Sequence, residues 1–517
     1  MNPAIYHVIT DTNQWLKLWP EISLGLLAIL LLALDLLLKD KDRAVIPRVA
    51  VLGQVVILIA LLGYIAYESS DPVMEKVMST TYFDGLIVFT PFSEAGRVFI
   101  LLTSLMVSYI AQVYFQRQSL PRAEFYHLQL VVAAAMMLLV QSAQFVMLFV
   151  ALETVTVGFY VLVAYGRNSP WSLEAGLKYL ILGALSSAIM LFGIVLLYGV
   201  AAAPSLNRIG QPMHDAMSFV DLGGVLARQT FNPLAAAGVA LVLCGVAFKI
   251  GVVPFQVWIP DVYQGAPTPT TAFLAVGSKA AGFLVLLNLV TGPFAASWLA
   301  HQVLAPLLST LAVLSILYGN LAALGQRNVK RVMGLSGISH AGYMLIGVVA
   351  TVQGVSWAPG AVLFYLLTYL LGSMAVFGVM AHVAGPNDEA QELEDYADLG
   401  KREPFLGGVL SIGLGSLAGI PPLAGFIGKL LLFFAAYEAH LYNLLVVAIV
   451  GVVISIYYYF GWMREALFRQ PSQPSLGTPI ADSPLAPTRW TRLALGLLAA
   501  ATLFVGLYQG FFPESLK

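Results

Sequence analysis

Phe248-Lys249-Ile250-Gly251-Val252-Val253-Pro254 lies inside an apolar run, 234–256, and sets a glycine and a proline beside a lysine. Proline lacks a backbone N–H and clashes with the preceding turn, so a helix through this stretch breaks or kinks sharply. Backbone groups freed at membrane depth are tolerated only where protein or a watery cavity satisfies them. The pattern recurs in a second run, 406–437, where Gly419-Ile420-Pro421-Pro422-Leu423-Ala424-Gly425 precedes Lys429.

Outward from these two stretches the chain is a series of apolar runs. About 20 residues span a bilayer, and fourteen runs approach or exceed that length: 21–38, 49–67, 98–115, 127–142, 144–165, 177–200, 234–256, 268–291, 303–325, 329–351, 358–384, 406–437, 441–463 and 490–511. The join at Gln141 to Gln144 is the weakest boundary. The predicted fold is therefore an all-α polytopic membrane protein, a single membrane domain over 1–517, with helices 7 and 12 broken. Those breaks are five crossings apart, and an odd interval reverses direction, so the pattern predicts two inverted five-helix repeats. Helices 1 to 3 occupy 21–115, repeat one (helices 4 to 8) 127–291, repeat two (helices 9 to 13) 303–463, and helix 14 490–511. The N-terminus has no basic segment or small-residue cleavage site, so helix 1 is expected to remain in the mature protein.

Composition agrees. Hydrophobic residues make up 59% of the 517 and charged residues 10%, against roughly a quarter charged in soluble domains. The single cysteine, Cys244, excludes an intramolecular disulfide and a thiolate-ligated cluster. A net charge of −1 without a basic tail argues against nucleic acid as a partner.

The 26 basic residues divide unevenly. Loops at 39–48, 117–122, 167, 327–331, 401–402, 464–469 and 489–492 hold 16 of them. The opposite loops and both tails hold six: Lys17, Lys76, Arg97, Arg208, Arg228 and Lys517. Basic loops stay inside, so both termini are expected on the outer side. The remaining four, Lys178, Lys249, Lys279 and Lys429, fall within apolar runs, and none is arginine. A charge at the bilayer centre costs at least about 2.5–3.5 kcal/mol and calls for a partner or a function. Moving a carboxylate toward or away from a buried lysine switches it between binding and releasing a proton, whereas arginine effectively never deprotonates.

Glu153, the one acid near the middle of a span, is the expected counter-ion of Lys249, either as a static lock or as part of a proton relay. Lys279 lies among small residues in Gly277-Ser278-Lys279-Ala280-Ala281, and Lys429 follows the second break. Lys178 is nearer the basic boundary, where it either joins the relay or reaches to the interface. His340 either relays protons or bonds neutrally between helices. Glu21 and Asp35 are expected at the interface, and Asp388-Glu389-Ala390-Gln391-Glu392-Leu393-Glu394-Asp395-Tyr396 as a solvated inner loop.

The segment from Pro254 to Pro269, Pro-Phe-Gln-Val-Trp-Ile-Pro-Asp-Val-Tyr-Gln-Gly-Ala-Pro-Thr-Pro, and the one from Gly419 to Lys429 resemble the antiporter-like membrane subunits of respiratory complex I, the proton-pumping NADH:quinone oxidoreductase. Val262-Tyr263-Gln264-Gly265 and Lys429 look like the subunit N branch, the homologues of mitochondrial subunit 2. The likeness runs from Trp19-Pro20-Glu21 to the thirteenth helix, and Gln256 departs from it where the branch commonly has histidine. The resemblance implies a carboxylate–lysine pair at Glu153 and Lys249, a central lysine at Lys279 and a terminal relay at Lys429. It also implies other membrane subunits as partners and a bacterial inner membrane, with the termini periplasmic. FMN, iron–sulfur clusters, NADH oxidation and the quinone site would lie in partner subunits, with no cofactor in this chain. A subunit of a multisubunit sodium/proton antiporter or of a membrane-bound hydrogenase shares the same helices and lysines and is the alternative.

Overall fold

The computed structural model describes residues 15–39, 43–69, 81–116, 118, 120, 123–202, 215–385, 388–469 and 487–508. Among the described residues, thirteen helices are long and apolar enough to cross a membrane. In chain order they are α1 (Trp15–Leu37), α2 (Arg43–Tyr67), α3 (Pro91–Phe115), α4 (Ala123–Val140), α5 (Phe145–Val163), α6 (Pro170–Ala201), α7 (Pro233–Ile250), α8 (Thr268–Thr291), α9 (Ser297–Leu324), α10 (Val329–Val352), α11 (Ala358–Val383), α13 (Tyr442–Phe468) and α14 (Arg489–Leu507). The remaining predicted crossing, α12, is split into Pro404–Ala418 and Ala424–Glu438. α7 likewise resumes as a short second half, Ile259–Gly265. The chain is thus a multi-pass all-α membrane protein with its breaks in the seventh and twelfth crossings.

The two breaks share one geometry. Each first half ends at a glycine in the left-handed region, Gly251 (φ 74°) and Gly419 (φ 86°). The N–H groups of Gly251 and Val252 both donate to the Ala247 carbonyl, and those of Gly419 and Ile420 both donate to Gly415. Each loop then carries one cis peptide bond, Val253-Pro254 and Pro421-Pro422. Packing follows the same repeat: α4 against α5 matches α9 against α10, α6 against α7 matches α11 against α12, and α4 against α8 matches α9 against α13.

α8 and α10 are apolar on all sides and form the centre, with nearly every residue of both buried. α1, α2, α6 and α13 present rows of exposed leucine, isoleucine and valine instead. On the less basic side, a two-stranded hairpin (Thr81–Tyr82 with Ile87–Val88) and a short helix (Phe219–Ala227) pack over the α4–α5 join, features the apolar pattern does not signal.

Three expectations are corrected. Arg97, placed by its position in a loop, is fully buried, and it holds Glu94 (2.8 Å) and Glu21 (2.7 Å). Glu21 is accordingly not interfacial but locked beneath α3, and it also accepts from Gln141 at 2.6 Å. Lys330 is buried rather than a loop cation, and it pairs with Asp388, so the acidic stretch after α11 is not simply solvated. Asp35 does lie at the basic end, 3.3 Å from Arg43. Lys41, Lys76, Arg117, Arg122, Arg208 and Lys517 lie outside the described residues.

Candidate functional site

Lys249 occupies the last turn of α7 before the break, with 5% of its surface exposed. Its ammonium donates to Thr156 Oγ1. The Thr156 hydroxyl donates in turn to the Leu152 carbonyl at 2.6 Å, which leaves an oxygen lone pair for the lysine. Glu153 is not in direct contact with Lys249: its carboxylate accepts from Ser187 Oγ of α6. Thr156 and Glu153 are three residues apart on α5 and share a face. The expected pair is therefore held one helical turn open, within Coulombic range.

Lys279 follows a widened π turn, Leu274–Ser278, of the kind that recurs at functional sites. It is 2% exposed, donates to the Gly337 carbonyl of α10, and lies 5.4 Å from the Tyr369 ring centre. Lys429, 4% exposed, donates to Leu417 O (2.9 Å) and Ala418 O (2.8 Å). Those are the last carbonyls of the first half of α12, the negative end of that helix. Its ammonium is 5.4 Å from the Tyr343 ring centre.

His340, 3% exposed, stands between these two lysines. Its Nδ1 bonds Tyr365 Oη at 2.7 Å and its Nε2 bonds Tyr459 Oη at 3.1 Å. The Tyr369 and Tyr343 rings lie 4.9 and 6.1 Å from it. One run of polar and aromatic groups thus extends from Lys279 through Tyr369, His340 and Tyr343 to Lys429. The tyrosines were not predicted. Their one signal in the sequence is Tyr365 and Tyr369, four residues apart on the same face of an apolar helix.

Lys178 does not belong to this run. Its side chain is 41% exposed and pairs with Asp261 (2.6 Å) and Glu174 (2.7 Å) in an open cleft also lined by Arg331 and Gln264. Gln256 is buried between the halves of α7, and its Oε1 has no protein partner. Lys249 and Lys279 donate to separate acceptors, Thr156 Oγ1 and the Gly337 carbonyl.

Two broken helices packed against a fully enclosed pair, with buried lysines among them, are the architecture of an antiporter-like membrane subunit. Residues 142–455 match the family described as "NADH:quinone oxidoreductase/Mrp antiporter, TM". The chain is 54% identical to NADH-quinone oxidoreductase subunit N 1 of Opitutus terrae, over 98% of this chain and 97% of that protein. It is 36% identical to subunit N of Moorella thermoacetica, over 96% and 95%. A chain of respiratory complex I from Thermus thermophilus with bound aureothin superposes with a TM-score of 0.74 at 30% identity, over 95% of this chain and 98% of that one. A chain of the Mrp complex from Dietzia sp. shares the fold, with a TM-score of 0.73 at 19% identity over 94% of each chain. This chain belongs to the family of NADH-quinone oxidoreductase subunit N.

Proposed function

We propose that the chain carries protons outward across the bacterial inner membrane as a subunit of an NADH:quinone oxidoreductase complex. The supporting observation is that Lys279, His340 and Lys429 are buried within the helix bundle and bridged by tyrosines, with Lys249 beside the first break. A proton from the basic face loads the Lys249 and Lys279 region. A change of charge in a neighbouring subunit draws Glu153 toward or away from Lys249, closing or opening the gap across which Lys249 now holds Thr156 and Glu153 accepts from Ser187. That shift alters the field on Lys279, and the proton passes by His340 to Lys429 and outward. The coupling is electrostatic, between two arrangements of one ion pair. Electron transfer, with its FMN, iron–sulfur clusters and quinone, takes place in partner subunits.

The test is Lys249→Ala and Lys429→Ala in the assembled complex, with proton uptake by inverted membrane vesicles measured per NADH oxidised. Each substitution should lower pumping by about tenfold or more, the scale of a lost proton-transfer group. Wild-type pumping and electron transfer in both would exclude the relay. A pumping response that depends on sodium and not on NADH would favour the sodium/proton antiporter.

A further inference from the structure

The chain after α11 folds back into the protein at Asp388, whose side chain is 13% exposed. The carboxylate accepts from Lys330 Nζ of α10, from Tyr114 Oη of α3 at 3.0 Å and from Thr268 Oγ1 of α8 at 3.2 Å. Lys330 is 1% exposed, and it also donates to the Ala266 carbonyl at 3.0 Å. Gln391 Nε2 holds the Asp388 carbonyl at 2.7 Å, and Gln118 Nε2 holds that of Gly385 at 2.7 Å. Three helices, α3, α8 and α10, therefore converge on one carboxylate. A buried ion pair adds little stability over apolar packing of the same volume, so anchoring alone does not account for it.

Its placement does. Lys330 and Gly337 are seven residues apart on α10, on the same face and about 10 Å along the axis. The Gly337 carbonyl is the acceptor of Lys279. Asp388 thus stands at the basic end of the α8–α10 contact that holds Lys279 at its middle. Thr271, one turn beyond Thr268 on α8, donates to the Tyr263 carbonyl of the second half of α7 at 3.1 Å.

We propose that Asp388 is a proton-loading residue, which takes protons from water at the basic face and delivers them along the α8–α10 contact to Lys279. When its bond to Lys330 opens, the carboxylate gains one proton from outside and later releases that proton inward, and no electron moves. Lys330 is the positioning residue that holds the carboxylate between loadings. The other titratable groups facing Asp388 are Tyr114 of α3 and Tyr396 and Glu389 of its own loop, while α8 offers only the Thr268 hydroxyl.

This inference rests on the proton-relay reading above. In the assembled complex, Asp388→Asn should lower vesicle proton uptake by about tenfold while subunit content and NADH oxidation by an artificial acceptor stay at wild-type levels. Acetate, a small diffusible proton donor, should restore much of that uptake, and Asp388→Glu should retain most of it. Undiminished uptake in Asp388→Asn overturns the proposal. So does a loss that acetate does not reverse and Glu shares, because that marks a mere clamp. If the Asn variant fails to assemble, Thr268→Val decides. It removes one donor to the carboxylate while keeping the ion pair, and should move the pH profile of pumping upward by up to about one unit, whereas an unmoved profile overturns the proposal. Wild-type uptake in Lys279→Ala would sink the relay itself, whereas wild-type uptake in Asp388→Asn alone sinks only the loading site.

Discussion

A methyl group added at Gly337 would meet the Lys279 ammonium at 2.9 Å and the Tyr369 hydroxyl at 3.2 Å. Both are the far ends of side chains, so Gly337→Ala should fold and assemble while pushing the ammonium off its carbonyl. A hydrogen bond from a charged group contributes about 1.5–3 kcal/mol, so proton flux should fall several-fold with complex content unchanged. Unaltered flux per NADH would show that this contact does not matter. At this scale the sequence was readable only in part. Lys249, Lys279 and Lys429 stand out because each interrupts an apolar run, and all three are buried. Arg97 and Lys330 occupy the edges of runs, where position alone reads as a loop. The distant partners that bury them, Glu21 and Asp388, are 76 and 58 residues away. A pairing at that separation leaves no local pattern.

The two breaks are where single elements interrupt their own backbone close to a buried lysine. At Gly419 the backbone is left-handed (φ 86°), and a Cβ would also meet Lys429 Cδ at 2.9 Å. At Gly251 (φ 74°) a Cβ would meet the Ile259 side chain instead. Alanine in that region costs about 1–2 kcal/mol at either site. The two substitutions should therefore lower thermal stability by similar amounts, measured on the purified complex, while Gly419→Ala lowers proton flux further because it also displaces Lys429. Equal flux in the two variants would contradict that distinction. Both breaks were legible because glycine and proline act on their own backbone. The hairpin at Thr81–Val88 and the helix Phe219–Ala227 were not, since each is stabilised by lying across the α4–α5 join rather than by its own periodicity.

For the whole molecule, burial is what separates the lysines of the apolar runs, and burial is a property of the assembly of helices. In the sequence Lys178 and Lys279 are each a lone cation in an apolar run, and only the nearness of Lys178 to the basic boundary separates them. The fold puts α8 at the centre and α6 at the rim, so Lys279 is 2% exposed while the Lys178 side chain is 41% exposed and already paired with two carboxylates. An exposed pair contributes about 0–1 kcal/mol, because water and salt screen it and the remaining charges re-pair when one is removed. Lys178→Ala should therefore leave Asp261 with Arg331, its other partner, and retain most of the proton flux. Lys279→Ala removes the only ammonium that reaches Gly337 from α8 and should lose about tenfold or more. Flux measured on both variants at matched complex content tests this ordering. If Lys178→Ala proves as damaging as Lys279→Ala, the exposed cleft beside Asp261 is part of the proton route, and the path from the basic face runs along α6 as well as along α8 and α10.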